Sequence, residues 1–135
     1  MAEGNAHRLQ GIATAIQGDV PTALAAFDQA INSLEDVRPS FEVSIQEDES
    51  HRRYLTQVYE YLGETYQWQG YAHELAFAYP EAQQAYQKAL TAYQQCIDQA
   101  DNTPDGIIRD QIVGLYCQPY ALDTQTRLNT LNGEQ

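Results

Sequence analysis

The side chains that most often carry out enzymatic chemistry are few in this sequence and lie far apart. Three histidines occur, and none stands in the HExxH or another zinc-binding spacing: His7, His51 and His73. His73 and Glu74 are neighbours with the residue types of an acid–base pair, but a solvated pair on a helix surface is the simpler interpretation. We therefore predict no histidine-based active site.

Two cysteines are the other candidate nucleophiles. Cys96 or Cys117 would need a base oriented beside it, and no residue is placed to do so. They are too few for a disulfide framework, and their spacing is not that of a metal site. Either one is able to pack in a core, where cysteine behaves as a small apolar residue. We predict two reduced thiols.

Phosphate and cation sites are not indicated either. The glycines at positions 18, 63, 70 and 114 are isolated and form no phosphate-binding loop. Residues 47–49, Glu-Asp-Glu, offer carboxylates to a divalent cation but lack the glycine and the ligand spacing of a calcium loop. The sequence predicts a protein that is not an enzyme and that uses no cofactor or metal.

Composition limits the partners of the chain. Its 135 residues suit one domain, and 19 acidic residues against 7 lysines and arginines give a formal net charge of -12. Such a surface repels phosphate backbones and anionic lipids, so we expect neither nucleic acid nor membrane as a partner. Plain solubility and a basic partner are the two interpretations of the charge. Residues 1–10 lack the pattern of a signal peptide, and we predict a cytoplasmic protein.

Helical periodicity dominates the stretch from Tyr59 to Tyr93. Apolar and small residues recur there at spacings of three and four, and large residues alternate with small ones. Two helices with such faces approach closely and interlock their side chains. The pattern predicts an antiparallel helical hairpin, and a similar pattern near the amino terminus predicts a second one. We therefore expect an all-α fold of stacked antiparallel hairpins.

The order of residues in these hairpins resembles the tetratricopeptide repeat (TPR) family. The second hairpin carries Tyr59-x-x-Leu62-Gly63-x-x-Tyr66, then Gln69-Gly70, then Ala82-x-x-x-Tyr86-x-x-Ala89. The first hairpin matches with Gly11, Thr14, Gln17-Gly18-Asp19, Ala23, Phe27 and Ala30. When Gly11 is aligned with Gly63, seven extra residues fall between Gly70 and Ala82, and we interpret them as inserted helical turns over residues 71–79.

The resemblance implies a short TPR-like solenoid over residues 1–135. Repeat one covers about 5–36, repeat two about 51–100, and a capping helix about 104–132. Phe27 should pack on Gly11, and Tyr86 on Gly63. Pro39 is expected to end the second helix, leaving 37–50 as a loop, with an amphipathic edge that docks on the helices or on a partner as the alternative.

The family commonly binds its ligands on a concave surface lined by the first helix of each repeat. The positions carried over to this sequence are Arg8, Ile12, Ile16, Glu60, Glu64, Gln67 and Trp68. Chaperone-binding members hold a carboxylate there with basic and asparagine side chains, and Glu60 and Glu64 depart from that pattern. These acids would suit a basic and apolar segment, with Trp68 as its anchor. Plain packing against the inserted turns is the alternative role for Trp68.

Two functions follow as expectations. The first is a non-catalytic protein–protein interaction module, either an adaptor, an assembly factor or a chaperone-like protein. The second is a structural subunit that forms a homo-oligomer through exposed helical faces, because a two-repeat solenoid has open ends.

Overall fold

The computed structural model describes residues 1–133, and its regular elements are all helical. In chain order they are α1 (Ala2–Ile16), α2 (Val20–Glu47), a short 3-10 turn (Glu49–His51), α3 (Arg52–Leu75), α4 (Tyr79–Ala100), a π-helix (Ile107–Cys117) and α5 (Gln118–Leu131). No strand occurs within residues 1–133, so the predicted all-α class is confirmed.

The helices form two hairpins and a C-terminal covering segment. Helix α1 packs against α2, α3 packs against α4, and α2 joins the hairpins by packing against α3. The π-helix and α5 cover α4, and the π-helix also reaches α3. The central core lies where these elements meet. Its largest fully buried members are Leu34, Val58, Leu62, Tyr93, Ile108 and Val113.

Close helix contacts in the first hairpin depend on glycine. A Cβ atom added at Gly11 would lie 2.4 Å from the ring of Phe27, and one added at Gly4 would lie 2.8 Å from Leu34. The predicted contact of Phe27 with Gly11 is confirmed. Asp19 caps α2, because its carboxylate accepts a hydrogen bond from the backbone N–H of Thr22 at 3.3 Å.

The second hairpin repeats this arrangement in a register that we did not predict. Gly63 faces Tyr93 and Gly70 faces Tyr86, with added Cβ atoms 2.4 Å and 2.6 Å from the respective rings. The predicted contact of Tyr86 with Gly63 is therefore wrong by seven residues. Seven residues are about two helical turns, so both glycines lie on the same face of α3, and the sequence pattern fits either one.

The two hairpins have equivalent turns 59 residues apart. Helix α1 ends at Ile16 and α3 at Leu75, while α2 begins at Val20 and α4 at Tyr79. The inserted turns that we predicted over 71–79 therefore do not exist as an insertion. Residues 71–75 are helical as expected, but 76–78 form the turn that corresponds to 17–19 in the first hairpin.

The predicted loop over 37–50 is also wrong, because α2 continues through Pro39 to Glu47. Proline in a helix costs about 3 kcal/mol, and packing beyond it offsets that cost. Val37, Phe41 and Ile45 stand four residues apart and pack against the central core. The ring of Phe41 lies 5.6 Å from that of Tyr54 on α3. Phe41 and Ile45 therefore lie on the inner face of this helix, whereas Val43 between them is 61% exposed.

The two cysteines form a disulfide, so the prediction of two reduced thiols is wrong. Cys96 on α4 and Cys117 at the end of the π-helix are joined, and both are fully buried. The bond fastens the C-terminal covering segment to the second hairpin. Helix type changes from π to α just after Cys117, next to Pro119, which has no N–H to give to either hydrogen-bond pattern.

A comparison of the two equivalent turns, 17–19 and 76–78, leads to a prediction about stability. Gly18 and Phe77 hold corresponding positions, and both have positive φ, +84° and 59°. Positive φ is strained for phenylalanine but not for glycine, and Phe77 is 77% exposed, so it has little packing to lose. We expect Phe77→Gly to raise the free energy of unfolding by about 0.5–1 kcal/mol in urea titrations. Gly18→Ala, the matched change, should lower it by about 1 kcal/mol. A loss of stability in Phe77→Gly would contradict this explanation.

Candidate binding groove

A groove runs along one face of α3 and consists of four adjoining clefts. We call it the α3 groove. Its α3 residues recur every three or four positions: Arg53, Tyr54, Gln57, Glu60, Tyr61, Glu64, Gln67, Trp68, Tyr71, Glu74 and Leu75. The two largest clefts measure about 440 Å³ and about 460 Å³ and share Tyr71 and Arg127. Neighbouring clefts share residues, so the groove is continuous.

The facing wall comes mainly from the C-terminal covering segment. Its groove residues lie along the π-helix and α5: Ile107, Gln111, Ile112, Leu115, Tyr116, Tyr120, Asp123, Thr124, Arg127 and Leu131. Helix α1 contributes Arg8 alone. The groove therefore lies between α3 and the segment that the disulfide holds, not along the first hairpin.

Five of the seven predicted site residues line this groove. They are Arg8, Glu60, Glu64, Gln67 and Trp68. Ile12 instead packs beside Phe27 inside the first hairpin, and Ile16 lies 69% exposed at the end of α1, away from the clefts. Trp68 is partly packed and partly open to a cleft, and its role as an anchor stays a prediction. It packs against the apolar cluster of the first hairpin and also borders the cleft of about 440 Å³.

Arg8 forms an ion pair with Glu64 inside the groove. Its Nη1 donates to Oε1 of Glu64 at 3.1 Å, and its Nε and Nη2 donate to the side-chain oxygen of Asn5 at 3.1 and 2.8 Å. The guanidinium also lies over the ring of Tyr61, 4.7 Å from its centroid. Arg8 is therefore fully engaged, and the charge that we expected a partner to bring to Glu64 is already present.

Glu60 has no such cation. The residue is 5% exposed, and burial, its hydrogen bond with Glu64 and the charge of Glu64 raise the pKa of Glu60 to about 10, against the opposing effect of Arg8. At neutral pH this carboxyl holds a proton. One arginine, Arg8, therefore lies beside the two carboxyl groups of Glu60 and Glu64.

The opposite end of the groove is ordered by a second ion pair. Arg127 of α5 donates to Glu74 of α3 through Nε at 2.9 Å and through Nη2, and the hydroxyl of Tyr86 donates to the same carboxylate. Although burial of Glu74 acts to raise its pKa, its hydrogen bonds with Arg127 and Tyr86 outweigh burial and lower it. Between the ends, the hydroxyl of Tyr93 donates to Oε1 of Gln67 at 2.5 Å. These bonds fix the groove floor.

Sequence reasoning missed the whole C-terminal wall. Ile112, Tyr116 and Tyr120 stand at i, i+4 and i+8, and Asp123 and Arg127 continue the row. That stripe is visible in the sequence, but we interpreted the segment only as a cap. Tyr54 and Tyr71 on α3 were also not assigned to the site.

Within residues 1–133, no helix is long and apolar enough to cross a membrane. The same part of the chain contains no group of three or more His, Cys, Asp or Glu side chains arranged to hold a metal ion.

Glu60 should make stability depend on pH. The folded state keeps a proton that the unfolded chain releases above pH 4.5, so stability should fall as pH rises from about 4.5 to about 10. We expect Glu60→Gln to remove about 1 kcal/mol per pH unit of this loss between pH 6 and 9, measured by urea unfolding at several pH values. Glu81→Gln, an exposed change on α4, is the control and should leave the slope unchanged. Equal slopes in wild type and Glu60→Gln would refute the assignment.

Comparison of the chain with protein-family models, with curated proteins and with solved structures gives no match. The fold and the groove define the class of protein. It is an all-α protein of two helical hairpins, with a disulfide-linked C-terminal segment that forms one wall of a groove. The tetratricopeptide resemblance stays a prediction that rests on the residues alone.

Proposed function

We propose that this protein is a non-catalytic interaction module, an adaptor, assembly factor or chaperone, that binds a basic and apolar segment of another polypeptide in the α3 groove. The observation that carries the proposal is the length and continuity of the groove. Helix α3 has 24 residues and is about 36 Å long at 1.5 Å per residue. An extended segment of about ten residues would cover that distance.

Exposed aromatic rings along the groove support a polypeptide ligand. Tyr54, Tyr71 and Tyr116 are 47%, 42% and 43% exposed, and the ring of Tyr71 meets that of Trp68 edge to face at 5.4 Å. Aromatic side chains with one wet edge are enriched at protein interfaces and often contribute most of the binding energy. The net charge of -12 favours a basic segment and would speed its association.

A tetratricopeptide relationship and a cytoplasmic location remain proposals as well. Two hairpins with a C-terminal covering segment suit the family, whereas the 59-residue spacing of the turns exceeds the usual repeat of about 34 residues. The Cys96–Cys117 disulfide counts against the cytoplasm, since disulfides persist mainly in oxidising compartments. Fractionation of source cells with thiol-blocking reagents decides between the compartments.

Variants inside and outside the α3 groove distinguish specific binding in the groove from nonspecific binding. We expect Tyr71→Ser to weaken binding of a partner segment about tenfold or more, mainly through faster dissociation, because the ring is a candidate anchor in the groove. Val43→Ser on α2 removes an apolar side chain that is 61% exposed and lies outside the clefts, and it should leave affinity unchanged. Surface plasmon resonance with one partner segment measures both variants. Equal losses in the two would contradict the groove assignment.

Self-association is the second candidate function. Exposed apolar side chains cluster at the turn of the second hairpin, where Leu75, Phe77 and Tyr79 are 39%, 77% and 45% exposed. Such a patch suits contact with another copy of the chain. Light scattering of the purified protein at increasing concentration tests it: a mass that doubles, and that Phe77→Ser returns to the monomer value, would favour the structural subunit over the binding module.

A further inference from the structure

The smallest cleft of the α3 groove surrounds the buried carboxyl group of Glu60. It has a volume of about 250 Å³, and its lining combines two acids, one arginine, one amide, two aromatic rings and one apolar side chain: Arg8, Gln57, Glu60, Tyr61, Glu64, Ile112 and Tyr116. Glu60 is 5% exposed and borders this space. A carboxyl group so far removed from water is costly unless it is protonated or paired with a cation.

Within residues 1–133, the cation that acts on Glu60 is already engaged by other groups. This cation, Arg8, donates to Glu64 and Asn5 and lies over Tyr61. The other helices place tyrosine side chains near Glu60 and Glu64, and none of these is a cation. They are Tyr93 from α4, Tyr116 from the π-helix and Tyr120 from α5. The charges of α2 lie beside other tyrosines: Arg38 and Glu42 by Tyr59, and Asp28 and Glu35 by Tyr66. Two carboxyls and one arginine thus leave room for one more positive charge.

We propose that this cleft is a subsite for the ammonium group of a lysine side chain of the partner segment, which lies between the carboxyl groups of Glu60 and Glu64. The ammonium takes the place of the proton on Glu60. The inference rests on the proposed function of the groove and names one contact in it. The oxygens of Glu60, Glu64 and Gln57 can accept the three N–H groups of the ammonium. Ile112 and Tyr116 border the space for its methylene stem.

The exchange balances as a proton transfer. The O–H bond of the Glu60 carboxyl breaks, its proton leaves to solvent or buffer, and the ammonium keeps its own three protons and its charge. The cleft then holds two carboxylates and two cations instead of one carboxylate, one carboxyl and one cation. Binding should therefore release up to one proton for each ligand bound.

The direct test uses n-butylammonium as the probe, with the full chain and its disulfide intact. NMR titration with 13C-labelled glutamate carboxyls should shift the Glu60 and Glu64 signals first. Because the bound state needs ionised Glu60, affinity should rise by up to about tenfold per pH unit from pH 6 to pH 9. n-Butanol, the neutral analogue, should not compete.

Variants and outcomes separate the alternatives. Glu60→Gln should abolish the pH dependence and weaken binding about tenfold or more, whereas Glu81→Gln should bind as wild type. Affinity that is independent of pH in wild type, or equal binding of butanol, would overturn the subsite, whether or not Glu60→Gln folds.

If butylammonium binds with proton release but no polypeptide occupies the groove, the subsite stands and the proposed function fails. If polypeptides bind equally well with norleucine in place of each lysine, the function stands and the subsite fails.

Discussion

Loss of the Cys96–Cys117 disulfide is expected to lower the free energy of unfolding by about 3 kcal/mol. The bond closes a loop between cysteines 21 residues apart, and a loop of that size restricts the unfolded chain by about this amount. The corresponding fall in melting temperature is about 10 °C for a chain of this length. Urea and thermal unfolding of the Cys96→Ala/Cys117→Ala double variant measure the effect.

Hydrogen exchange should also show which part of the structure is destabilised when the disulfide is lost. Hydrogen exchange should quicken most in residues 107–131, because the bond fastens that segment to α4, and least in α1. Cys96→Ala alone should lose about as much stability as the double variant, since either change removes the bond. Two titratable thiols in the purified wild type, or a double variant as stable as wild type, would show that the cysteines are not joined.

Gly63→Val is expected to destabilise the fold by about 3 kcal/mol. Even a single Cβ atom there would lie 2.4 Å from the Tyr93 ring, which is fully buried and whose hydroxyl is hydrogen-bonded to Gln67. The gain of helix propensity over glycine is under about 1 kcal/mol and does not offset the clash. Gly106→Ala is the control, because its added Cβ would meet nothing closer than 3.6 Å.

A double-mutant cycle tests the register of the second hairpin. Gly63→Val combined with Tyr93→Leu should cost clearly less than the sum of the two single changes, because the smaller side chain makes room for the valine. The same valine combined with Tyr86→Leu should be additive, since Tyr86 faces Gly70. Coupling with Tyr86 instead of Tyr93 would restore the register that the sequence suggested.

The hairpins themselves were predictable because their signals are local. The cap at Asp19, the prolines at 21 and 80 in the first helical turns, and the small residues facing large ones all follow from neighbouring residues. The register of α3 against α4 was not predictable in the same way. Gly63 and Gly70 are seven residues apart and share one helix face, so only the tertiary contact with Tyr93 distinguishes them.

Other features depended on contacts distant in the sequence. Apolar residues in this region fit two patterns. The spacing of two is typical of a strand and includes Phe41, Val43 and Ile45, whereas the spacing of four is typical of a helix and includes Val37, Phe41 and Ile45. Packing on α3 selects the helix despite Pro39. The disulfide needs α4 and the π-helix to meet, and nothing near either cysteine signals that. The acids and Trp68 of the groove were found on α3, but the opposing wall was missed because its position depends on how the C-terminal segment folds back.

The most direct test of the account is selection of random peptides displayed on phage against the immobilised, disulfide-intact protein, followed by NMR mapping of a selected peptide. Selection should enrich peptides that combine lysine or arginine with apolar residues. Their binding should perturb backbone signals along α3 from Arg53 to Leu75 and in the facing wall, weaken with salt, and drop in Tyr71→Ser but not in Val43→Ser. Enrichment of acidic peptides, or perturbations confined to α1 and the outer face of α2, would contradict the claim that the α3 groove is a polypeptide-binding site.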